Sequence, residues 1–405
     1  MDATINPRIH NLVPTRLIVR EHQPTLIDLF AGCGGLGLGF HQAGFETILA
    51  NELHPDPAET YTENLLKSHP ERMLIGSIKT ELSDIKLEAL GLTVSDITCV
   101  AGGPPCQGFS MAGSGLADDP RNELYREFLR VVEKIQPKSV VFENVPGFAT
   151  RYGIGLRSHL EETLRSFGYS IASGVLRAMD YGVPQLRRRF ICIGIKTELL
   201  DGKELTLPPP TWTEEEIGIE LTASKVLDDL DVYLRRGGYG TGVKIGPEKY
   251  LRKANSIFQM KMREKSGQGL HGQTWNTLIP RHTKPVRERM KKFLEGASRA
   301  DLEDTHLATK KHSQRVLHPD KTPNITIVSL PDDYIHYNRK LPRTLSVREC
   351  ARLQTFPDDF IFYGKRTTGG LRRRNDVPQY TQVGNAIPPR LGEAIAKHIL
   401  QAMKA

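Results

Sequence analysis

A short apolar stretch that leads directly into a cluster of glycines constrains this fold more than any other feature of the sequence. Residues 26–30 predict a strand, and Gly32-x-Gly34-x-x-Gly37 follows, which matches a GxGxxG turn between a strand and a helix. Glu52 lies 20 residues after Gly32, at the end of the next predicted strand, where a carboxylate accepts hydrogen bonds from ribose hydroxyls. The segment predicts a site for an adenosine-containing ligand. A nicotinamide dinucleotide and S-adenosylmethionine both fit it, and a turn without any ligand is the simpler alternative.

Strands and helices alternate from residue 25 to residue 196, which predicts an α/β fold with a doubly wound, mainly parallel, Rossmann-like sheet. Three consecutive prolines at 208–210 interrupt this pattern, and the chain is polar and irregular up to about residue 340. We therefore predict a second, smaller domain. The predicted segments are a lead-in over 1–24, a catalytic, ligand-binding domain over 25–196, a substrate-facing domain over 197–341, and a return to the first domain over 342–405.

Positive charge is concentrated in one part of the chain. The net charge of the 405 residues is +8, and residues 231–299 alone hold 16 Lys or Arg against 5 Asp or Glu. Such a concentrated excess is typical of a surface that binds the phosphate backbone of a nucleic acid. A solvated surface without a partner gives the same pattern, so charge alone leaves both interpretations open.

What the sequence lacks excludes several classes of protein. It has no apolar run of about 18 residues, so we expect no membrane-spanning helix. Its N-terminus lacks the apolar core of a secretory signal, so we expect it not to be one. The five cysteines are scattered without a CxxC pair, which argues against disulfides and against a metal site. We therefore expect a protein of the reducing cytoplasm.

Reactive or charged side chains occur where three predicted strands begin or end. Cys106 follows Gly-Gly-Pro-Pro after an apolar strand, at the sheet edge where ligand crevices lie, and is a candidate nucleophile. Glu143 follows the next strand, although by itself it fits a capping or salt-bridged glutamate better. Arg187 and Arg189 are two residues apart at the start of a strand, so we expect both on one face, where they can hold a carboxylate or a phosphate.

Taken in order, the motifs resemble those of the DNA (cytosine-5) methyltransferases of the bacterial restriction–modification type. They read FAGCGGLGLGF, GGPPCQGFS, ENVPGF, YGVPQLRRRF, RECARLQTFPDDF and QVGNAIPP. The motifs lie within residues 25–196 and 342–400, and the family's target-recognition domain would occupy the basic region between them. The resemblance implies the S-adenosylmethionine-dependent methyltransferase fold and methylation of C5 of a cytosine in a specific short site of duplex DNA.

The resemblance also implies the roles of four catalytic residues. Cys106 would attack C6 of a cytosine that has been flipped out of the duplex. Glu143 would hydrogen-bond N3 and the exocyclic amine of that base and stabilise the charge that develops at N3. Arg187 and Arg189 would orient the base and its carboxylate partner.

For S-adenosylmethionine, the resemblance points to residues of the glycine turn, the second strand, the cysteine loop and the C-terminal region, namely Phe30, Ala31, Gly32, Gly34, Glu52, Gly103, Pro105 and Asn385. The family often has an acidic and then an apolar residue after the third strand, where this chain has Ser77 and Ile78. Ile78 is therefore assigned to the adenine site. The role of Ser77 stays open, because Asp84 and Ile85 offer an alternative alignment.

The resemblance further implies a monomer that acts on duplex DNA in the bacterial cytoplasm, associated with the nucleoid, and a functional pairing with a restriction endonuclease. An RNA (tRNA) cytosine-5 methyltransferase shares several motifs but usually carries a Cys-Phe-Thr tripeptide that this chain lacks. A nicotinamide-dependent oxidoreductase would account for Glu52 but would give Cys106 and Glu143 no role. An inactive DNA-binding relative is disfavoured because every expected catalytic residue is present. The target site does not follow from the sequence, since bases are read by a few side chains whose positions depend on the fold.

Overall fold

The computed structural model divides the chain into two compact units. It describes residues 23–84, 97–105, 123–150, 154–230, 246–250, 252–265, 269–270, 272–309, 314–329, 334–367 and 376–404. The first unit comprises Met1–Arg177, Arg188–Pro210 and Pro389–Ala405, and the second comprises Ala178–Arg187 and Thr211–Pro388. Residues 342–388 thus cluster with the second unit and residues 389–405 with the first. The predicted boundaries of the functional domains stay a prediction.

A seven-stranded sheet forms the centre of the first unit. Its strands are β1 (Thr25–Leu29), β2 (Glu46–Glu52), β3 (Met73–Ile75), β4 (Cys99–Gly102), β5 (Ser139–Asn144), β6 (Tyr169–Arg177) and β7 (Arg188–Lys196). Their order is β3-β2-β1-β4-β5-β7-β6, and only β7 runs antiparallel to its two neighbours. The prediction of a mainly parallel α/β sheet is confirmed.

Helices connect these strands as the alternating pattern predicted. They are α1 (Gly35–Gln42), α2 (Pro55–Leu65), α3 (Ile78–Glu81), α4 (Leu124–Ile135) and α5 (Ile154–Ser166). The core between α4, α5 and the sheet contains a chain of aromatic rings. Phe142 lies 5.4 Å from Phe128 and 5.0 Å from Phe148 between ring centroids, and Phe148 lies 5.4 Å from Phe190. These contacts lie next to the carboxyl end of β5, so they fix the backbone from which Glu143 projects.

The last helix, α12 (Pro389–Lys404), packs against the first helix of the same unit. A Cβ added at Gly39 would lie 2.4 Å from the carbonyl oxygen of Pro389 and 2.6 Å from the amide nitrogen of Glu393. Only glycine allows the two backbones to come so close. This contact explains why the C-terminal segment belongs to the first unit.

The second unit has short helices and two-residue strands. The helices are α6 (Glu214–Glu220), α7 (Ala223–Leu227), α8 (Ile257–Arg263), α9 (Lys284–Leu294), α10 (Val347–Leu353) and α11 (Gln379–Asn385). The strands are β8 (Glu248–Lys249), β9 (Glu264–Lys265), β10 (Gly269–Leu270), β11 (Gln273–Thr274), β12 (Arg315–Val316) and β13 (Tyr334–Ile335). Ser346 and Glu349 form a reciprocal capping box at the N-terminus of α10.

Buried ion pairs connect separate segments of this unit. Arg352 contacts the carboxylates of Asp229 and Asp358 at 2.6 and 2.5 Å, and all three side chains are fully buried. Arg343 binds Glu349 with two hydrogen bonds of 2.7 Å. Burial opposes the ionisation of Glu349, but the nearby Arg343 guanidinium outweighs it and lowers the pKa of this carboxyl to about 2. Removing one partner of such a pair would leave an uncompensated buried charge.

Among the described residues, no helix combines the length and the apolar character that a membrane span requires. Within the same residues, the His, Cys, Asp and Glu side chains do not form a group of three or more that could hold a metal ion.

Candidate active site

The predicted site residues of the first unit gather at one edge of the sheet. Strands β1, β2, β4 and β5 are parallel, so their carboxyl ends lie along the same edge. Phe30 follows β1, Glu52 ends β2, Gly103 follows β4, and Glu143 lies near the end of β5. Arg189 reaches the same edge because β7 is antiparallel and begins there.

The glycine turn after β1 has backbone angles that suit glycine. Gly32 and Gly34 have φ angles of 56° and 93°, and Phe30 also lies in the left-handed region at 54°. Gly34 occupies the N-cap position of α1 and offers no side chain to cap it. The turn therefore leaves backbone N–H groups at a helix N-terminus, which is a favourable place for polar groups of a ligand.

Glu52 is held next to this turn. Its Oε2 accepts a hydrogen bond from the Gly32 amide, and its Oε1 accepts one from the His54 amide, both at 2.9 Å. Burial raises the pKa of Glu52, although the two amide donors oppose the rise. A carboxylate fixed at the end of β2 fits the ribose-binding role that the sequence predicted.

Asp28 is a polar residue of the site that sequence reasoning missed. It is 1% exposed within β1, accepts a 3.1 Å hydrogen bond from the Tyr61 hydroxyl, and also binds the backbone of Gly37 in the first turn of α1. Burial raises the pKa of Asp28 to about 8. A Cβ at Gly37 would lie 2.5 Å from the Tyr61 oxygen and 2.7 Å from the carboxylate. Asp28 thus caps α1 from the neighbouring strand, and the available signal was an aspartate in an otherwise apolar run.

The segment after β4 is tied to the end of β5. The side-chain amide of Asn144 donates a 3.1 Å hydrogen bond to the carbonyl of Pro104, and its Oδ1 accepts one from the Val145 amide. A Cβ at Gly103 would lie 2.5 Å from Oε2 of Glu143. The absence of a side chain at Gly103 therefore leaves room for this carboxylate. Pro105 is exposed at the end of the described segment, and Cys106 lies outside the described residues.

Glu143 and Arg189 form an ion pair. The Nε of Arg189 lies 2.8 Å from Oε1 of Glu143, and the two side chains are 14% and 11% exposed. Burial lowers the pKa of Arg189, whereas the carboxylate raises it. A guanidinium at this distance holds one carboxylate oxygen in place and keeps the group oriented.

Arg187 has different partners and belongs to the second unit. It is 1% exposed, and its guanidinium donates hydrogen bonds to the carbonyls of Ile327, Gly384 and Asn385. Asn385 ends α11 and is exposed, and its Oδ1 accepts a 2.8 Å hydrogen bond from the Ser329 hydroxyl. The two arginines that the sequence placed on one strand face thus bind different groups.

The region after β3 contains the remaining predicted cofactor residue. Ile78 is 3% exposed and belongs to the hydrophobic core of the first unit. The Ser77 hydroxyl accepts a hydrogen bond from the Lys79 amide and caps α3. Asp84, the alternative in the sequence alignment, forms a 2.7 Å ion pair with Arg130, and Ile85 lies outside the described residues.

The four cysteines that the structure describes are buried and form no disulfide with one another, and they are Cys33, Cys99, Cys192 and Cys350. Burial raises the pKa of each thiol, that of Cys99 to about 12. A protonated, buried thiol is a poor nucleophile. Burial therefore disfavours each of these four thiols as a nucleophile.

The fold and the residues at this sheet edge are those of a methyltransferase built on a Rossmann-like sheet. A prophage-encoded DNA modification methyltransferase (E. coli) has the same fold, with a TM-score of 0.71 and 25% identity over 94% of this chain and 100% of that one. The Dnmt2 methyltransferase of S. pombe, at 16% identity and a TM-score of 0.52 over 94% of this chain and 99% of the other, shares the fold.

Residues 25–401 match the family of C-5 cytosine-specific DNA methylases. The chain belongs to this family and is a DNA cytosine-C5 methyltransferase. Similar relatives include the type II methyltransferase M1.HphI of Haemophilus parahaemolyticus, at 35% identity over 93% of this chain and 87% of the relative. The type II methyltransferase M.DdeI of Desulfomicrobium norvegicum is 33% identical over 92% of this chain and 88% of the relative. These findings favour DNA over the RNA alternative.

Proposed function

We propose that this protein methylates C5 of a flipped-out cytosine within a specific short site of duplex DNA, through a covalent bond between Cys106 and C6. It acts as the modification enzyme of a type II restriction–modification system. The observation that supports this most strongly is the Arg189–Glu143 ion pair at the edge of the sheet, in the chain segment that the family motifs define. The ion pair holds the Glu143 side chain in one orientation next to Gly103, in the segment that precedes Cys106.

The residues of the glycine turn fit S-adenosylmethionine, because left-handed glycines, a helix N-terminus and the buried Glu52 carboxylate lie together. When bound, the cofactor supplies the methyl group that C5 takes up. We assign cofactor contacts to the turn, to Glu52 and to the residues carried over from the family, which are Phe30, Ala31, Gly32, Gly34, Ile78, Gly103, Pro105 and Asn385.

The protein groups act on the base. The Cys106 thiolate forms a bond to C6, and the electron pair moves toward N3 while C5 becomes nucleophilic. The Glu143 carboxyl group donates its proton toward N3 as negative charge develops there, and its other oxygen accepts a hydrogen bond from the exocyclic amine. Arg189 keeps this group oriented. After methylation, the C5 proton passes to solvent water, its bonding electrons form the C5–C6 double bond, and Cys106 leaves C6 as a thiolate, which restores the aromatic ring. The target atom is out of reach in a stacked duplex, so the base must leave the helix.

A basic surface on α9 supports DNA binding. This helix buries Met290 and Leu294 and exposes the side chains of Lys284, Lys291 and Lys292 to 82%, 67% and 55%. Lys291 and Lys292 both lie within 4 Å of Glu295, which compensates part of their charge. We infer that exposed lysines of this kind contact DNA phosphates. The protein acts as a monomer, in association with the bacterial nucleoid, beside a cognate endonuclease.

The function is tested by incubating the protein and S-adenosylmethionine with unmethylated genomic DNA and mapping 5-methylcytosine at base resolution. We expect methylation at one short recurring site. The Cys106→Ser variant should bind the same DNA but show no methylation and no covalent adduct with DNA containing 5-fluorocytosine, whereas Cys350→Ala should retain both. Near-normal turnover by Cys106→Ser would rule out Cys106 as the nucleophile.

A further inference from the structure

A tyrosine of α2 packs against the glycine turn from inside the first unit. Tyr61 is fully buried, and a Cβ added at Gly34 would lie 2.9 Å from a ring carbon of Tyr61 and 2.9 Å from a methyl carbon of Leu65. A Cβ added at Gly37 would lie 2.5 Å from the hydroxyl oxygen of the same tyrosine. The two glycines therefore leave room for one aromatic side chain, which contacts the turn at two points.

The first glycine of the turn differs from these two. Apart from its chain neighbours, no atom of the described residues lies within 4 Å of a Cβ added at Gly32. Its φ angle of 56° still favours glycine. The GxGxxG pattern thus contains two glycines that the packing of α2 requires, at positions 34 and 37, and one that the backbone conformation alone requires.

Polar groups of two strands hold the tyrosine hydroxyl. Tyr61 donates a 3.1 Å hydrogen bond to Oδ2 of Asp28 in β1, and its hydroxyl lies 3.3 Å from that of Thr47 in β2. Asp28 also accepts a hydrogen bond from the backbone amide of Gly37 in the first turn of α1. One carboxylate therefore joins α2 to the helix that follows the glycine turn.

Glu52 fixes the other end of the turn, because its Oε2 accepts a 2.9 Å hydrogen bond from the Gly32 amide. The turn is thus held by β2 at its start and by the pair of Tyr61 and Asp28 at its end. Backbone groups that are fixed before a ligand arrives bind it more tightly, since less conformational freedom is lost on binding.

We propose that Tyr61, held in place by Asp28, is a positioning residue for the glycine turn and thereby determines the affinity for S-adenosylmethionine. This rests on the proposed function, in which the turn contacts the cofactor. The tyrosine acts through the backbone of residues 34–37, since its own side chain is fully buried. Without its hydroxyl, a smaller fraction of the molecules would hold the turn ready for binding, and the apparent Kd rises in inverse proportion to that fraction.

The test compares Tyr61→Phe with Tyr169→Phe. Tyr169 is 2% exposed in the same unit, and its hydroxyl donates a 2.6 Å hydrogen bond to the carbonyl of Pro137. Pro137 precedes β5, so this bond lies at the edge of the sheet where the parallel strands begin, opposite the glycine turn. Both substitutions remove one buried hydroxyl and keep the ring. Calorimetric titration with S-adenosylmethionine, thermal unfolding, steady-state kinetics and amide hydrogen exchange over residues 30–40 are measured for the full chain.

We expect Tyr61→Phe to raise the Kd and KM for S-adenosylmethionine about fivefold, the effect of losing one hydrogen bond. Its kcat at saturating cofactor should change less than its KM. Without cofactor, the amides of residues 30–40 should exchange faster than in the wild type. Tyr169→Phe should lower the Tm but leave both the Kd and the exchange of residues 30–40 unchanged.

Asp28→Asn is the second variant, because asparagine has only one side-chain oxygen with which to accept hydrogen bonds from Tyr61 and Gly37. It should also raise the Kd. The double variant Tyr61→Phe/Asp28→Asn should bind no more weakly than Asp28→Asn alone, since both changes act through one contact.

An unchanged Kd for a folded Tyr61→Phe, additive losses in the double variant, or an equal rise of the Kd in Tyr169→Phe would overturn the inference while the wild type still binds. If Tyr61→Phe does not fold, the Kd of Asp28→Asn against that of Tyr169→Phe decides in the same way. Failure of the wild type to bind S-adenosylmethionine would instead remove the proposed function, and this inference with it.

Discussion

The Nε of Arg189 lies 2.8 Å from Oε1 of Glu143, and this contact joins the first residues of β7 to the carboxyl end of β5. Glu143 pairs with Ile191 in the antiparallel ladder, so Arg189 lies two residues along the strand from that partner. The two side chains are mostly buried, and the remaining oxygen of Glu143 faces Gly103. A base that enters this edge of the sheet would meet a carboxylate of fixed orientation.

Glu143→Gln should lower kcat at least about a hundredfold, because an amide cannot transfer a proton to N3 of the base as negative charge develops there. The Kd for S-adenosylmethionine should not change. Single-turnover transfer of a labelled methyl group to DNA measures the first quantity, and calorimetry measures the second. Glu161→Gln is the matched control, because Glu161 also pairs with arginines but lies on α5. Equal losses in both variants would contradict a specific role for Glu143.

Gly103→Ala should reduce kcat strongly while the protein stays folded. The new Cβ would lie 2.5 Å from Oε2 of Glu143, so the carboxylate must move from its orientation toward the base. Gly155→Ala serves as the control, since Gly155 lies in α5 with no atom within 4 Å of the added Cβ and a helix favours alanine by about 1 kcal/mol. Methyl transfer and thermal unfolding are compared for the two variants. Wild-type turnover by Gly103→Ala would show that the carboxylate position is not critical.

Asp28 should make stability depend on pH. Its folded-state pKa of about 8 lies above the ordinary value of 3.8 for an aspartate, mainly because of burial, and Tyr61 and Glu52 also face it. The folded protein therefore retains a proton that the unfolded chain releases. The free energy of unfolding should fall as the pH rises from about 4 to about 8, by up to about 1.4 kcal/mol per pH unit.

Asp28→Asn should remove this contribution, because the amide does not titrate. Denaturant unfolding of both proteins between pH 5 and pH 8 measures the two slopes. The wild type should lose more stability over this range than the variant does. Parallel pH profiles would show that Asp28 is ionised in the folded protein.

Replacing Lys291 and Lys292 with Gln should weaken binding to duplex DNA of any sequence. Each lost phosphate contact should reduce the slope of log Kd against log salt by about 1. Fluorescence anisotropy at several salt concentrations measures the slope. Lys397→Gln is the control, since Lys397 is an exposed lysine paired with a glutamate on α12. An unchanged slope in the double variant would place the phosphate contacts elsewhere.

Much of the active-site edge was predictable because the relevant signals are local. Apolar runs, and the residues that end them, predict the strand before the glycine turn. They also predict that Glu52 and Glu143 lie at the ends of β2 and β5. Parallel strands then bring these positions to one edge without any knowledge of long-range contacts. The capping box of Ser346 and Glu349 is local in the same way, since the two residues are three positions apart.

The structure alone decided which side chains act together. The alternation of side chains along a strand predicted Arg187 and Arg189 on one face. It could not predict that Arg187 binds the carbonyls of Ile327, Gly384 and Asn385, which are 140, 197 and 198 residues away in the sequence. Nor could it show that Asp28 caps α1 together with Tyr61. Periodicity and motif spacing determine elements and their ends, because those depend on neighbouring residues. The partners of a buried polar group depend on where distant segments pass, and only the folded chain determines that.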